Sequence, residues 1–316
     1  MFLFIIEVMA ENIANNNLNL IKWIYALSQS SIYFFLIIYF YEITGSYFLS
    51  GNIMILKAII QSIAEVPTGI ISDKFLGRKN SYLVATFLDF LSYVFYILGS
   101  FNYIFLIIGR IFMGLGTALS SGNRNALLYD SLRDEEKEQE FHQYFSKCQM
   151  YQYFWFGLFL LASGALAHYY GTIYVVYFCA IQRFIAFLIG FFLKEPKVHV
   201  EQKNVYKNNS VQHLNASIKA FIENKYLFLI GITYILKRGF ILGTNRFNAT
   251  FYTLLIPMNM LGVVTSISLI VHSVVSKYSH SFTNKFGKLK ALLYIEIFAI
   301  PLQLLAYFFL ILYLLY

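Results

Sequence analysis

Residues 69–79, Gly69-Ile70-Ile71-Ser72-Asp73-Lys74-Phe75-Leu76-Gly77-Arg78-Lys79, place a short polar run between two long apolar ones. The apolar stretch before it covers 50–71 and the one after it 81–99. Gly69 permits close helix packing and Gly77 permits a sharp reversal, while Asp73 beside Arg78 and Lys79 can form an ion-pair cluster that makes and breaks. Two apolar runs of this length joined by a charged turn read as neighbouring membrane spans meeting at one face of a bilayer.

The rest of the chain has the same character. Its 316 residues are 59% hydrophobic, 19% aromatic and only 13% charged, with a mean hydropathy of +0.61. Soluble enzymes, disordered chains, collagens and disulfide scaffolds do not carry repeated apolar stretches of about twenty residues with so few charges. The net charge of +8 does not indicate nucleic acid, because nearly all the cationic side chains sit in short connectors between apolar runs. Cys148 and Cys179 lie in or beside apolar segments and are too few for a framework, so both are expected as free thiols. The six histidines are scattered singly. The sequence holds no Ser-His-Asp set, metal-ligand spacing or phosphate loop, so neither a metal, a cofactor nor enzyme activity is expected.

A helix needs about twenty apolar residues to cross the hydrocarbon layer. Nine runs qualify: 21–41, 50–71, 81–99, 102–128, 147–168, 172–193, 225–250, 257–277 and 290–314. None shows the strict alternation of barrel strands, so the expected fold is all-α, a polytopic helical bundle. Residues 1–20 carry Glu7 and Glu11 and have neither a basic n-region nor a small-residue cleavage site. They read as an interfacial segment or as a start codon placed too far upstream, and poorly as a signal peptide. Lys and Arg crowd alternate connectors, from Lys74, Arg78 and Lys79 through Arg133 and Lys194 to Lys285 and Lys288, whereas the opposite connectors hold only Arg246. The amino terminus and the basic loops are therefore expected in the cytoplasm, with the chain a multi-pass protein of the cell (inner) membrane. The polar linker 194–224 divides a six-helix bundle, 21–193, from a three-helix segment, 225–316.

Residues 69–79 resemble the G-x-x-x-D-[RK]-x-G-R-[RK] loop of the major facilitator superfamily, with Leu76 as one extra position before Gly77. EVPTG, just before it, is similar to the superfamily's E-x-P-T-G. Arg110, Gly114, Gly116 and Ala118 resemble its R-x-x-x-G-x-G-x-A, and SGNRNALLYDSL at 121–132 resembles the S-G-x-x-x-A-L-x-Y-D-x-L of one bacterial branch. A weaker copy of the loop, Asn284-Lys285-Phe286-Gly287-Lys288, stands 211 residues after Asp73 and suits a duplicated fold. The resemblance implies two halves of six helices rocking about a midplane site, with the loop motif Gly69, Asp73, Gly77, Arg78 and Lys79 and the nearby Asp130 holding one of the two states. It also implies twelve helices where nine are found, as though the chain stopped after the ninth. The efflux signature G-P-x-x-G-G has no proline here, only Gly157 and SGALA at 163–167, which weakens drug–proton antiport.

An ionisable side chain inside a span costs about 2.5–3.5 kcal/mol on insertion scales, so each is a functional candidate unless it can snorkel. Lys57, Gln61 and Glu65 form one stripe, with Glu65 read as a structural acid that neutralises Lys57. Gln29, Lys57, Arg110, Arg183, Lys237 and Arg238 are candidate cavity residues. Arg124, near a span end, is expected to snorkel. Asp89 and Glu296 are the candidate proton carriers. The deep cations outnumber the deep acids, which points to an anionic solute. The expected activity is secondary, proton-coupled transport of a small solute. Two other readings stay open: a degenerate remnant that transports nothing, and a membrane interaction protein completed by a partner chain.

Overall fold

Turn residues interrupt the apolar runs more often than hydropathy indicates. The computed structural model describes residues 17–197 and 255–287, with 223–226, 228–229, 232–233, 250 and 252–253 between them. All regular structure among these is helical: α1 Asn17–Leu27, α2 Ile32–Thr44, α3 Tyr47–Ile71, α4 Gly77–Leu98, α5 Ile104–Ser120, α6 Asn123–Asp134, α7 Phe141–Tyr169, α8 Thr172–Phe192 and α9 Met258–Phe286. Among the described residues, six segments are long and apolar enough to cross a membrane. The spans expected at 225–250 and 290–314 lie outside the described residues, apart from single positions in the first.

Two expected single spans are each broken in two. The run 21–41 becomes α1 and α2, separated by Ser28, Gln29, Ser30 and Ser31. The run 102–128 becomes α5 and α6, separated at Ser121 and Gly122, where Gly122 takes φ +72°. Short hydroxyl and amide side chains compete for backbone groups, and glycine alone enters positive φ without steric cost, so both breaks fall where the local chemistry permits them. The turn between α2 and α3 is capped on both sides. Gly45, at φ +65°, closes α2 with its N–H on the Tyr41 carbonyl, and the Ser46 hydroxyl caps α3 by accepting from the Leu49 N–H at 3.3 Å.

The bundle is apolar outside and partly polar within. On α8 the side chains of Tyr174, Tyr177, Ile181, Phe184, Leu188 and Phe191 are exposed along one stripe, while Gln182 and Arg183 are buried. That inversion suits lipid, which solvates apolar surface and leaves polar groups to find partners inside.

Among the described residues, two apolar clusters make up the core. One gathers Ile32–Phe40 of α2 with Tyr93, Tyr96, Met113, Leu160 and Cys179. The other gathers Leu18–Leu27 of α1 with Tyr82, Leu127, Cys148 and Ala186. In the first run the division between them falls at the break itself.

The longest helix contact among the described residues joins α7 to α9, which run antiparallel. Gly164 lies against Gly262, the Ser266 hydroxyl donates to the Gly157 carbonyl at 2.7 Å, the Ser273 hydroxyl donates to the Met150 carbonyl at 3.0 Å, and Ser146 meets Ser279 at 3.2 Å. From Gly262 to Ser279 the seam is about 25 Å long at 1.5 Å per residue. Small residues let the backbones approach where no hydrophobic driving force separates lipid from protein.

Candidate functional site

A half-open cavity of about 360 Å³ lies within the bundle. Its walls come from Ile24, Ser28 and Gln29 of the first broken run, Lys57 of α3, Tyr82, Ala85, Thr86 and Asp89 of α4, Thr117 and Ser120 of α5, Arg124 of α6, Phe156 of α7 and Arg183 of α8. Of the sequence candidates, Gln29, Lys57, Asp89 and Arg183 are brought together here. Lys237, Arg238 and Glu296 lie outside the described residues.

The break between α1 and α2 is held open by α8. The Arg183 guanidinium donates from Nη1 to the Leu27 carbonyl and from Nη2 to the Ser28 carbonyl, each at 2.9 Å, and the Gln182 amide donates to the Gln29 carbonyl at 2.8 Å. Those carbonyls lost their intrahelical partners when the helix ended, and in a bilayer each must be paired. Arg183 thus occupies the position a bound cation takes in other discontinuous spans. Its Nη1 is also 3.9 Å from Asp89 Oδ2. Behind the break the hydroxyl of Tyr93 donates to Ser30 at 2.5 Å and that of Ser163 to Ser31 at 2.6 Å, so all its small polar groups are engaged.

Glycines of α5 make the room. A Cβ on Gly116 would fall 2.7 Å from Asp89 Oδ1, and one on Gly114 would fall 2.8 Å from Ile60 of α3. Lys57 donates to Gln61 at 2.8 Å rather than pairing with Glu65, and Glu65 accepts instead from the Ser121 hydroxyl.

Two sequence expectations are corrected. Arg110 is not in the cavity wall. It is fully buried between α3 and α4, with Nη2 on the Met54 carbonyl at 2.6 Å, Nε on the Ile53 carbonyl at 3.3 Å and Phe40 beneath it at 5.9 Å. A guanidinium with five donors can tie adjacent helices through spare carbonyl lone pairs, and here it does so. Arg124 does not snorkel. The turn at Gly122 rotates α6, so that Arg124 lines the cavity with its guanidinium 5.7 Å from the Tyr25 ring centre.

At the basic end of the bundle the 69–79 turn is tied to α6 and α8. Arg78 Nε bonds Asp130 Oδ2 of α6 at 3.0 Å, and Lys79 Nζ donates to the Phe191 carbonyl of α8 at 2.9 Å. Asn123 donates to the Arg78 carbonyl at 2.9 Å. The side chain of Asp73 lies outside the described positions. No close packing is found at Gly69, where a Cβ would meet nothing within 4 Å among the described residues.

The sequence model of the Major Facilitator Superfamily matches residues 18–316. The chain belongs to the Major Facilitator Superfamily. It is 28% identical over 216 residues to an uncharacterized transporter of Buchnera aphidicola subsp. Acyrthosiphon pisum (strain APS), a match covering 66% of this chain and 52% of that relative. It is 30% identical over 185 residues to an uncharacterized transporter of Buchnera aphidicola subsp. Schizaphis graminum (strain Sg), covering 58% of this chain and 44% of the relative. The chain spans about half the length of the curated relatives it matches.

The extra residue in the superfamily loop has a structural explanation within this chain. Residues Ser72–Leu76 form a single π-turn, in which the Gly77 N–H reaches back to the Ser72 carbonyl. In the second copy, Thr283 stands where Ser72 does, and the Gly287 N–H reaches the Thr283 carbonyl at 2.9 Å across one residue fewer. Gly77 and Gly287 both take positive φ, +82° and +78°. Leu76 is therefore absorbed by widening one turn, not by a looser loop.

A residue missed by sequence reading completes this end of the superfamily bundle. Glu195, assigned to the linker, accepts from the Arg78 and Lys79 backbone N–H groups at 2.6 and 2.7 Å and so places a carboxylate on the α4 amino terminus. A Cβ on Gly77 would fall 2.6 Å from its Oε1, which gives Gly77 a second reason to be glycine. Neighbouring positions are held too. The Asn17 side chain pairs with both the N–H and the C=O of Lys194, and Asp134 accepts from the Lys197 N–H at 2.8 Å. An acid directly after a span end was the available signal. Replacing Glu195 with alanine is expected to cost about 2 kcal/mol, since two hydrogen bonds to a charged group are lost. Thermal unfolding of Glu195→Ala beside Glu138→Ala checks this, and equal unfolding temperatures would mean that the cap contributes nothing.

Proposed function

We propose that this protein is a secondary active transporter, not an enzyme, which moves a small anionic solute across a bilayer by alternating access and couples that movement to protons. The single observation that carries the anionic reading is the charge of the cavity: Lys57, Arg124 and Arg183 line it against one carboxylate, Asp89. A desolvated wall with more cations than acids favours a negatively charged solute through Coulomb attraction that water would otherwise screen. Superfamily membership supports the transport class.

In this reading residues 21–193 form one rocking half and the segment from 225 onward contributes to the other. The contacts of Arg78 with Asp130 and of Glu195 with the α4 amino terminus hold one state and release in the other. Asp89 is the proton carrier, because its carboxylate faces both the cavity and Arg183, so that protonation removes the negative charge opposing the cavity's cations and favours binding of an anion. The basic loops face the cytoplasm of a cell whose inner membrane holds the protein.

Reconstitution of the full chain into proteoliposomes with an imposed pH gradient tests the proposal. Saturable, gradient-driven uptake of an organic or inorganic anion is the expected result. Asp89→Asn should abolish accumulation against a gradient while sparing solute exchange. Accumulation by Asp89→Asn at the unaltered rate would remove Asp89 as the carrier, and uptake confined to neutral solutes would remove the anionic reading.

A further inference from the structure

The cavity's cations are not equally available to a solute. Lys57 already donates to Gln61 at 2.8 Å. Arg183 already serves the Leu27 and Ser28 carbonyls and lies beside Asp89. Arg124 makes no hydrogen bond or ion pair among the described residues, and its buried Nη1 is without an acceptor. A buried guanidinium nitrogen without an acceptor is costly unless a ligand supplies one.

The platform beneath Arg124 is fixed. The Tyr25 hydroxyl donates to Asn125 Oδ1 at 2.6 Å, and its ring meets Phe145 edge-on at 6.3 Å. Held over a ring that is itself anchored, the guanidinium loses less freedom when it binds, and its planar fork matches a planar two-oxygen group. The neighbouring walls divide by chemistry. Ile24, Ala85 and Phe156 are apolar, whereas Thr86, Thr117 and Ser120 present hydroxyls. That mixture suits a solute with a carbon skeleton and does not suit a bare inorganic ion.

We propose that Arg124 is the principal ligand for the carboxylate of a small organic acid bound in this cavity. The inference deepens the anionic reading above and rests on it. Arg124 receives the carboxylate through its fork, Tyr25 holds the guanidinium in place, and the apolar walls take the carbon skeleton.

The test uses the full chain in nanodiscs, with unfolding temperature followed against acetate, succinate, benzoate, phosphate, sulfate and glucose at matched ionic strength. At least one carboxylate is expected to stabilise the protein saturably. Its Kd should rise at least tenfold in Arg124→Gln, and Arg124→Lys, which keeps the charge but not the fork, should recover less than half of that loss. Lys203→Gln, in the linker, should leave Kd unchanged. If Arg124→Gln fails to fold, Arg124→Lys and protection of Arg124 from phenylglyoxal by the carboxylate carry the test. No stabilisation by any carboxylate, or an equal Kd in wild type and Arg124→Gln, overturns the proposal. Stabilisation by phosphate or sulfate alone overturns it too, yet leaves the anionic transporter standing. Binding of glucose alone removes both.

Discussion

Arg183→Leu is expected to destabilise the protein more than any other single change in the described residues. The side chain is 5% exposed and ties α8 to the break between α1 and α2. Its removal leaves two carbonyls without donors and Asp89 without its nearest cation, all inside the bundle. Interhelical hydrogen bonds in membranes average only about 0.6 kcal/mol, but removing one partner of a buried ion pair costs about 3–5 kcal/mol. The second term dominates, because Asp89 loses the one cation within ion-pair distance among the described residues. Unfolding temperature in detergent is the readout. Adding Asp89→Asn should restore part of the loss, since the remaining group is then neutral. A wild-type unfolding temperature in Arg183→Leu would show that the break maintains itself without α8.

The second large effect is expected at the crossing of α7 and α9. A Cβ on Gly164 would lie 2.7 Å from Gly262 Cα and 3.0 Å from the Met258 carbonyl, and a Cβ on Gly262 would lie 2.8 Å from Gly164 Cα. These are backbone atoms, which cannot swing aside, so valine at either position must push the helices apart. Overpacking costs about 1–3 kcal/mol, and here it also lifts the Ser266 and Ser273 hydroxyls from their carbonyl partners. Gly164→Val should therefore unfold at lower temperature and lose transport. Gly69→Ala should do neither, because its Cβ meets open space among the described residues. Matching behaviour of the two variants would mean that the helices are not in contact in the bilayer.

Which parts of this architecture were visible beforehand follows from the range of the forces involved. Hydropathy is a local sum, so the apolar runs could be read directly, as could the loop with Asp73, Gly77 and Arg78. The same averaging hid the breaks. Ser28–Ser31 is flanked by so many apolar residues that the window around it still reads as one span. Arg110 and Arg124 show the limit most clearly. Both are arginines on one predicted span, and sequence assigned the cavity to Arg110 and snorkelling to Arg124. The structure reverses them, because a turn at Gly122 rotates α6 and because α3 happens to present free carbonyl lone pairs to Arg110. The carbonyls that hold Arg110 lie more than fifty positions away, and Gly122, although only two positions before Arg124, sets its direction through the backbone turn. Glu195 was hidden for a similar reason, since its partners at Arg78 and Lys79 are more than a hundred positions away.

By itself, then, the sequence determined the helical membrane class and the family, because burial in lipid and backbone pairing act over a single helix length. The tertiary structure decided which cations face the cavity, where the spans break and what caps α4. Those depend on the direction in which each side chain points once helices distant in sequence are packed, and a one-dimensional pattern does not contain that direction.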